Sequence, residues 1–185
     1  MGILTQATVT YLEMTEAPLL AAAHPPSNAG QLALMKADDI DISFYRYLFD
    51  QVGRPWKWFS RTLISDEALD EILRDPQVEV FVLYHRGVPA GYFELDFRIE
   101  GECEILFIGL TPANTGQGFG SFFLTSALHR AWDGQDGGRK PKRVHLQTCT
   151  LDHPGALPLY QKMGFVPFSQ EKVELDIPEH FFDKA

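Results

Sequence analysis

CEILFIGLTPANTGQGFGSFFLTSALHRAW, the stretch from Cys103 to Trp132, contains the strongest structural signal in this chain of 185 residues. Its apolar run from Ile105 to Leu110 has the length of a β-strand, and Pro112 should end it because proline cannot donate to a strand ladder. Three glycines follow at alternate positions: Gly116, Gly118 and Gly120. Apolar residues then recur at helical spacing. The order strand, glycine loop, helix predicts an anion site, because the first N–H groups of a helix lack internal partners and the helix dipole favours negative charge there.

Two common phosphate-binding loops do not fit these residues. A Walker loop ends in Gly-Lys-Ser/Thr, whereas Gly120 is followed by Ser121 and Phe122. A dinucleotide fingerprint read from Gly116 would need a third glycine where Ser121 stands. What remains is a tight turn with a glycine at every second position, which lets the backbone approach a phosphate closely and adopt positive φ.

This turn resembles the acyl-CoA pyrophosphate loop of the GCN5-related N-acetyltransferase (GNAT) superfamily, whose signature is Arg/Gln-x-x-Gly-x-Gly/Ala. Gly118 and Gly120 occupy its two glycine places, and Thr115 stands where the family usually has Arg or Gln. A second stretch, ALPLYQKMGF from Ala156 to Phe165, resembles the late motif Asn-x-x-Ala-x-x-Leu-Tyr-x-Lys-x-Gly-Phe, with His153 in place of its Asn. Two motifs in the right order make the resemblance far more specific than either one alone.

The resemblance covers about Val78 to Val166 and implies a single GNAT domain over residues 1–185. The hydrophobic patterns along the chain read β, β, α, α, β, β, β, α, β, α, β. They predict an α/β (α+β) fold, in which a mixed, mostly antiparallel, twisted sheet of about seven strands is flanked by helices. A hairpin with a long connection is expected between residues 8–14 and Gln31–Lys36. From Ile177 onward we expect a surface tail or a short turn.

Composition narrows the classes of partner. The net charge of −9 argues against nucleic acid. No apolar span is long enough for a membrane helix, so no membrane partner is expected. Cys103 and Cys149 form no C-x-x-C motif, and a reducing, cytoplasmic setting is the simpler interpretation. The histidines form no metal-binding motif, so no metal is expected. We expect a monomer or a homodimer.

The family resemblance implies direct transfer of an acetyl group from acetyl-CoA, a co-substrate, to an amine of a small molecule or peptide. It implies that backbone N–H groups from Gln117 to Ser121 hold the pyrophosphate. Main-chain groups of Ile108 and Leu110 would pair with the pantetheine arm, and the Leu110 N–H would polarise the thioester carbonyl. The expected cofactor-binding residues are Ile108, Gly109, Leu110, Thr115, Gly116, Gln117, Gly118, Phe119, Gly120, Ser121 and His153.

Two residues are expected to be catalytic. Tyr160 matches the motif tyrosine that, in the family, points at the cofactor sulfur, and its ordinary pKa suits an acid for the departing thiolate. Glu104 is the expected base, because its segment resembles the strand that carries the base glutamate in the histone acetyltransferase branch. Strand alternation is expected to place it on one face with Leu106, Ile108 and Leu110. The alternatives are Glu102, Glu94, His145 and a chain of water molecules.

The sequence alone identifies neither the acceptor nor a single reaction. Six aromatic residues precede the central strands: Phe44, Tyr45, Tyr47, Trp56, Trp58 and Phe59. They either form an aromatic pocket for an amine or fill the core. A non-catalytic acyl-CoA-binding or regulatory module and an O-acyltransferase are the alternative functions, since Thr115 and His153 depart from the family pattern.

Overall fold

Seven strands and four helices make up the computed structural model, which describes residues 2–19, 22–27, 29–135 and 140–182. The strands are β1 (Gly2–Met14), β2 (Leu32–Lys36), β3 (Val78–His85), β4 (Val88–Asp96), β5 (Glu102–Leu110), β6 (Arg143–Cys149) and β7 (Val166–Pro178). The helices are α1 (Ile42–Gly53), α2 (Asp66–Leu73), α3 (Phe119–Asp133) and α4 (Ala156–Lys162). The mixed, mostly antiparallel seven-stranded sheet confirms the predicted fold class. None of the helices in these ranges is both long and apolar enough to cross a membrane.

The first strand lies deep in the sheet rather than beside the second. The strand order is β2-β3-β4-β5-β6-β1-β7, so the expected hairpin between β1 and β2 is wrong. β1 alternates buried and half-buried residues, with Leu12 fully buried, and it needs a partner on each side. The five-residue β2 is mostly exposed and forms an edge, which suits its shortness.

Two hydrophobic clusters define the two faces of the sheet. We call the face covered by α1 and α2 the front; its cluster includes Tyr45, Leu69 and Tyr92. The face covered by α3 and α4 is the back, and its cluster includes Phe93 and Leu128. Because side chains alternate along a strand, the central strands β3, β4 and β5 contribute to both clusters.

Among the strands that the structure describes, one neighbouring pair is parallel, and it stays together for a short distance. β5 and β6 pair from Glu102↔Arg143 to Glu104↔His145, and the paired register goes no further. The remaining residues of both strands diverge, although each strand stays paired on its other side, to β4 and β1. The sheet is therefore split between its fifth and sixth strands.

A β-bulge in β5 changes which residues share a face. Glu94 pairs with Phe107 and Leu95 pairs with Ile105, so Leu106 is the extra residue. The expected alternation that grouped Glu104 with Ile108 and Leu110 is therefore wrong. Directly paired residues lie on the same face, so Glu104, Phe107 and Gly109 lie on the front, and Ile105, Ile108 and Leu110 lie on the back.

The C-terminal segment packs against the front instead of forming a surface tail. β1 and β7 pair from Gly2↔Pro178 onward, whereas β6 pairs only with Val9–Met14, so half of this ribbon extends beyond the end of β6. Ile177 is fully buried and Phe181 is 2% exposed, so the expected surface tail is wrong, whereas the alternative of a short turn is confirmed by the 3-10 turn Glu179–Phe181. The reason is an anchor: the Lys57 ammonium donates a hydrogen bond to the Phe181 carbonyl.

Close approach of α1 to the split edge depends on a glycine. A Cβ at Gly109 would overlap Val52 and would lie 3.4 Å from the Trp58 ring. A Cβ at Gly120, by contrast, would make an ordinary contact of 3.5 Å with Leu159.

We therefore expect opposite stability effects from the same substitution at these two positions. Gly109→Ala should lower the free energy of unfolding by about 1–3 kcal/mol through overpacking. Gly120→Ala, in the first turn of α3, should leave it unchanged or raise it by up to about 1 kcal/mol, because alanine favours helix. Urea unfolding followed by circular dichroism measures both. Equal effects at the two sites would contradict the packing argument.

Candidate active site

A cleft of about 420 Å³ lies where the two parallel strands separate. β5 from Ile105 to Leu110 lines one side and β6 from Leu146 to Cys149 lines the other. Because the sheet is split here, the cleft passes from the back of the sheet to the front. The start of α3 closes its back end, and the loop after α1 closes its front.

Main-chain groups of β5 are directed into this cleft. The Thr111 N–H donates to the Ala90 carbonyl at 2.8 Å, which fixes that peptide plane toward β4. In a trans peptide the preceding carbonyl points the opposite way, and main-chain groups alternate along a strand. The N–H and C=O groups of Leu110 and Ile108 therefore face the cleft, on the side where β6 has diverged. An amide-containing ligand can pair with them as an additional strand would.

The glycine loop forms a turn with open backbone donors. Gly116 and Gly118 have φ of +78° and +82°, which is the conformation that glycine adopts without strain. Gly118 is the N-cap of α3 and has no side chain to satisfy the first helical N–H groups. Those donors and the helix dipole therefore make the turn a site for an anion.

A polar network supports this loop from below. Asn114 is buried, its side-chain amide donates to Thr111 Oγ1 at 2.9 Å, and its Oδ1 lies 2.8 Å from His85 Nδ1. The same imidazole packs edge-on against the ring of Phe119, with 5.1 Å between ring centroids. The short 3-10 turn before the glycines is thereby fixed to β3, which positions the loop.

Tyr160 enters the cleft from α4. It is 8% exposed, and burial, followed by the charge of Asp152, raises its pKa well above the ordinary value. The expectation of an ordinary pKa is therefore wrong. The phenol stays protonated at any physiological pH, so its chemistry is that of a hydrogen-bond donor.

The candidate bases have different environments. Glu94 is fully buried and accepts hydrogen bonds of 2.5 Å from Tyr45 and from Arg61. Glu102 accepts from Arg143 at 2.9 Å and lies 3.3 Å from His145, whose pKa is lowered by burial and by Arg143. Glu94 is therefore already paired with Arg61, and Glu102 is already paired with Arg143.

Glu104 differs, because among the described residues it takes part in no ion pair. Burial, Asp96 and Glu94 raise its pKa, in that order of importance. It lies on the front, one residue below the point where the cleft begins, and it does not itself line the cleft. A contact between Glu104 and a group in the cleft must therefore reach past the closed end of the split, where β5 and β6 are still paired.

The front wall of the cleft is joined to the opposite side by Asp152. One of its oxygens accepts from the Trp58 indole at 2.9 Å, and the other accepts from Thr148 Oγ1 and the Cys149 N–H at 2.8 Å each. Beside it, the rings of Trp56 and His153 meet edge-to-face at 5.1 Å. The loop after α1 thus spans the front opening and reaches the connection between β6 and α4.

The same wall is tied to the sheet by a buried ion pair. Arg61, which is 8% exposed, bonds Glu94 at 2.5 Å, and its guanidinium lies 5.4 Å from the centre of the Phe107 ring. Tyr45 shares Glu94, so of the six aromatic residues this one belongs to the core. Trp56, Trp58 and Phe59 line the cleft instead.

The structure brings most, but not all, of the expected site residues to the cleft. Those that line it are Ile108, Gly109, Leu110, Thr115, Gly116, Gly120, His153 and Tyr160. Those that do not are Glu104, Gln117, Gly118, Phe119 and Ser121. The Gln117 side chain bonds the Ala113 carbonyl and the ring of Phe119 is buried, so at these two positions the backbone N–H is the group that could bind a ligand.

Sequence reasoning missed three contributors. Asp152 directly precedes the expected site residue His153, and nothing in the sequence indicated that it accepts a hydrogen bond from the Trp58 indole. Val9 and Leu175 line the cleft from the β1–β7 ribbon, far from both motifs. Their apolar alternation marked them as strand residues, and nothing local indicated which strand they would join.

Comparisons with known proteins agree with this geometry. A model of the acetyltransferase (GNAT) family matches residues 42–165. A GCN5-related N-acetyltransferase from Kribbella flavida is similar in structure, with a TM-score of 0.60 and 17% identity over 96% of this chain and 60% of that one. A conserved protein of unknown function from Staphylococcus epidermidis gives a TM-score of 0.64 and 15% identity over 95% of this chain and 64% of that one.

A third similar structure was solved with ligands bound. The spermidine N-acetyltransferase from Vibrio cholerae, in complex with CoA and spermine, gives a TM-score of 0.54 and 23% identity over 74% of this chain and 81% of that one. A search among curated proteins found no match. This chain spans less than two thirds of the length of the first two structures.

At sequence identities of 15–23%, similarity to these structures shows only that the fold is shared. The family is shown by the match to the family model. Its match extends from the start of α1 through both motifs to Phe165, at the end of the late motif. The chain belongs to the acetyltransferase (GNAT) family.

Proposed function

We propose that the protein transfers an acetyl group from acetyl-CoA directly to a primary amine of a small molecule or peptide. The split between β5 and β6 carries this proposal. It offers unpaired main-chain groups along its length, an anion site at its back end and an aromatic wall at its front.

The donor substrate matches the back of the cleft. Backbone N–H groups at the start of α3 and the positive-φ turn at Gly116 suit a pyrophosphate. Main-chain groups of Ile108 and Leu110 suit the two amides of a pantetheine arm, and the Leu110 N–H can polarise a thioester carbonyl. Thr115 provides no positive charge, so in this proposal the backbone holds the phosphates.

The amine enters from the front, the side on which the bulge places Glu104. An amine attacks only when neutral, so a base beside the acceptor is useful. A raised carboxylate pKa moves that base toward the working pH. Because Glu104 lies below the cleft lining, a water molecule between it and the amine is part of the proposal.

Tyr160 acts at the other end of the reaction. Its protonated phenol donates a hydrogen bond to the sulfur as negative charge develops there, and it passes that proton to the departing thiolate. The phenolate is then reprotonated from solvent, which also takes up the proton that the amine lost. Thiolates bind hydrogen-bond donors without requiring a low donor pKa, so burial does not conflict with this role.

Two alternative functions would give different experimental results. A non-catalytic acyl-CoA-binding or regulatory module would bind the donor without turnover, and an O-acyltransferase would prefer hydroxyl acceptors. The front-face carboxylate favours an amine, because a hydroxyl needs a stronger base. The spermidine substrate of one structural neighbour belongs to that protein, and at 23% identity it does not identify the acceptor here.

The donor site is tested with two glycines of the same conformation. Gly116 and Gly87 have φ of +78° and +85°, and a Cβ on either would meet nothing within 4 Å. Gly116→Asp should weaken acetyl-CoA binding by at least about tenfold, because it places a negative charge where an anion must bind. Gly87→Asp, equally strained, should leave it unchanged. Calorimetry that finds equal affinities for the two variants would reject the loop as the phosphate site.

The acid is tested by removing one oxygen atom. Tyr160→Phe should lower kcat by roughly 10²–10⁴-fold, the range of general acid catalysis. It should leave acetyl-CoA affinity nearly intact, because the donor acts late in the reaction. Tyr47→Phe, on the exposed side of α1, is the matched control. Full turnover by Tyr160→Phe, with chemistry rate-limiting, would make Tyr160 a packing residue.

The base is tested by a pH profile of kcat/KM for a good amine. A base acts when deprotonated, so activity should rise with pH, and its lower limb should lie above the ordinary glutamate range because the pKa of Glu104 is raised. Glu104→Gln should lose or move that limb. Glu71→Gln, exposed on α2, should keep it. A profile that is identical in both variants would exclude Glu104.

A further inference from the structure

A histidine lies beside Glu104, the proposed base, on the next strand. The parallel ladder pairs Glu104 with His145 below the closed end of the split. His145 faces the front, because Val144 and Leu146 on either side of it pack into the back cluster. Neighbouring strands are about 5 Å apart, so a carboxyl group and an imidazole at paired positions can meet directly or through one water molecule. Neither group lines the cleft, so this contact lies outside the space that the two substrates would fill.

His145 in turn lies against a carboxylate that reaches solvent. Its Nε2 atom is shielded from solvent, forms no well-aligned hydrogen bond with any described residue and lies 3.3 Å from Glu102 Oε2. The side chain of Glu102 is 29% exposed. A proton on His145 therefore has a route to bulk water through Glu102, on the side away from the cleft.

The other charges around this pair are held by ion pairs. The charged groups that face it from the surrounding strands are Glu13, Glu94, Asp96, Arg98, Glu102 and Arg143. The four carboxylates in this set each form an ion pair with an arginine, whereas Glu104 forms none among the described residues. Because carboxylates beside an arginine bind protons weakly, Glu104 and His145 are the two groups here that exchange a proton near neutral pH.

Burial brings the proton affinities of these two groups together. An ordinary glutamate has a pKa about two units below that of an ordinary histidine. Burial, followed by Asp96 and Glu94, raises the pKa of Glu104, and burial, followed by Arg143, lowers the pKa of His145. Both shifts reduce the difference, so a proton passes between the two groups with a small change in free energy.

We infer that Glu104 and His145 form a proton-transfer pair, through which the proton of the acceptor leaves below the cleft. The amine gives its proton through a water molecule to the Glu104 carboxylate, and Glu104 passes it to the neutral imidazole. The imidazolium then releases a proton through Glu102 to solvent, so Glu104 ends as a carboxylate and His145 as a neutral imidazole. The source of the proton rests on the proposed function, whereas the coupling of the two groups does not.

The coupling is tested without turnover by NMR titration of the histidines. The His145 resonance is identified by its loss in His145→Gln. Glu104→Gln removes a negative charge beside the imidazole and should move the midpoint of the His145 titration to lower pH. Glu71→Gln, exposed on α2, should leave that midpoint unchanged. The same midpoint in both folded variants would overturn the inference, whether or not the protein acetylates amines.

The transfer of the proton is tested in single turnovers with acetyl-CoA and a good amine. Glutamine keeps a polar side chain at this position but cannot be protonated near neutral pH, so His145→Gln should slow acetyl transfer by at least about tenfold. His129→Gln, at another half-buried histidine, on α3, is the matched control and should keep the full rate. Added imidazole should speed His145→Ala by at least about tenfold, a gain that a merely structural histidine would not show.

The variants distinguish this inference from the proposed function. If Glu104→Gln slows acetyl transfer while His145→Gln keeps the full rate, the inference fails and the proposed function stands. A full rate in Glu104→Gln excludes this base and overturns the inference with it. If wild-type protein acetylates no amine, the proposed function fails, and a shifted His145 midpoint still supports the proton-transfer pair.

Discussion

The separation of β5 from β6 is the constraint on which the rest of this structure depends. Backbone N–H and C=O groups inside a protein must be paired, and an internal split in a sheet leaves a row of them without partners. Such a split persists only if each strand is held firmly on its other side. β4 holds β5 through an antiparallel ladder, and β1 holds β6 in the same way. A sheet that closed fully would gain hydrogen bonds and lose its cleft.

The split also gives the site two chemically different ends. Its back end meets the start of a fifteen-residue helix and a turn rich in glycine, where the backbone provides donors for an anion. Its front end meets aromatic rings. The bulge at Leu106 contributes to this division, because it turns Phe107 and Gly109 to the front and Ile108 and Leu110 to the back. One inserted residue thus decides which side chains of β5 line the front of the cleft and which line the back.

Local signals in the sequence were enough for the family, the fold class and many element ends. Ser65 caps α2 by accepting from the Ala68 N–H, and Gly164 has the positive φ of a helix stop; serine before a helix and glycine after one are local signals of helix ends. The neighbours of β1 in the sheet were predicted wrongly for a different reason: its partners β6 and β7 lie at the other end of the sequence. The bulge lies in a uniformly apolar run, which carries no mark of register. The raised pKa of Tyr160 depends on burial and on Asp152, and neither follows from a motif.

The position of β1 has a consequence for how the molecule forms. Its pairings, such as Val9 with Cys149 and Leu12 with Pro167, are among the most distant in sequence that the sheet contains. Contacts of high sequence separation form slowly, because the loop-closure entropy is lost before the contact stabilises anything. During synthesis β1 leaves the ribosome before any of its partners exist, and it must wait unpaired until β6 and β7 follow. Formation of the β1–β7 ribbon, which completes the front of the cleft, is therefore a late event of folding, and the cleft is complete only after nearly all of this sequence has emerged.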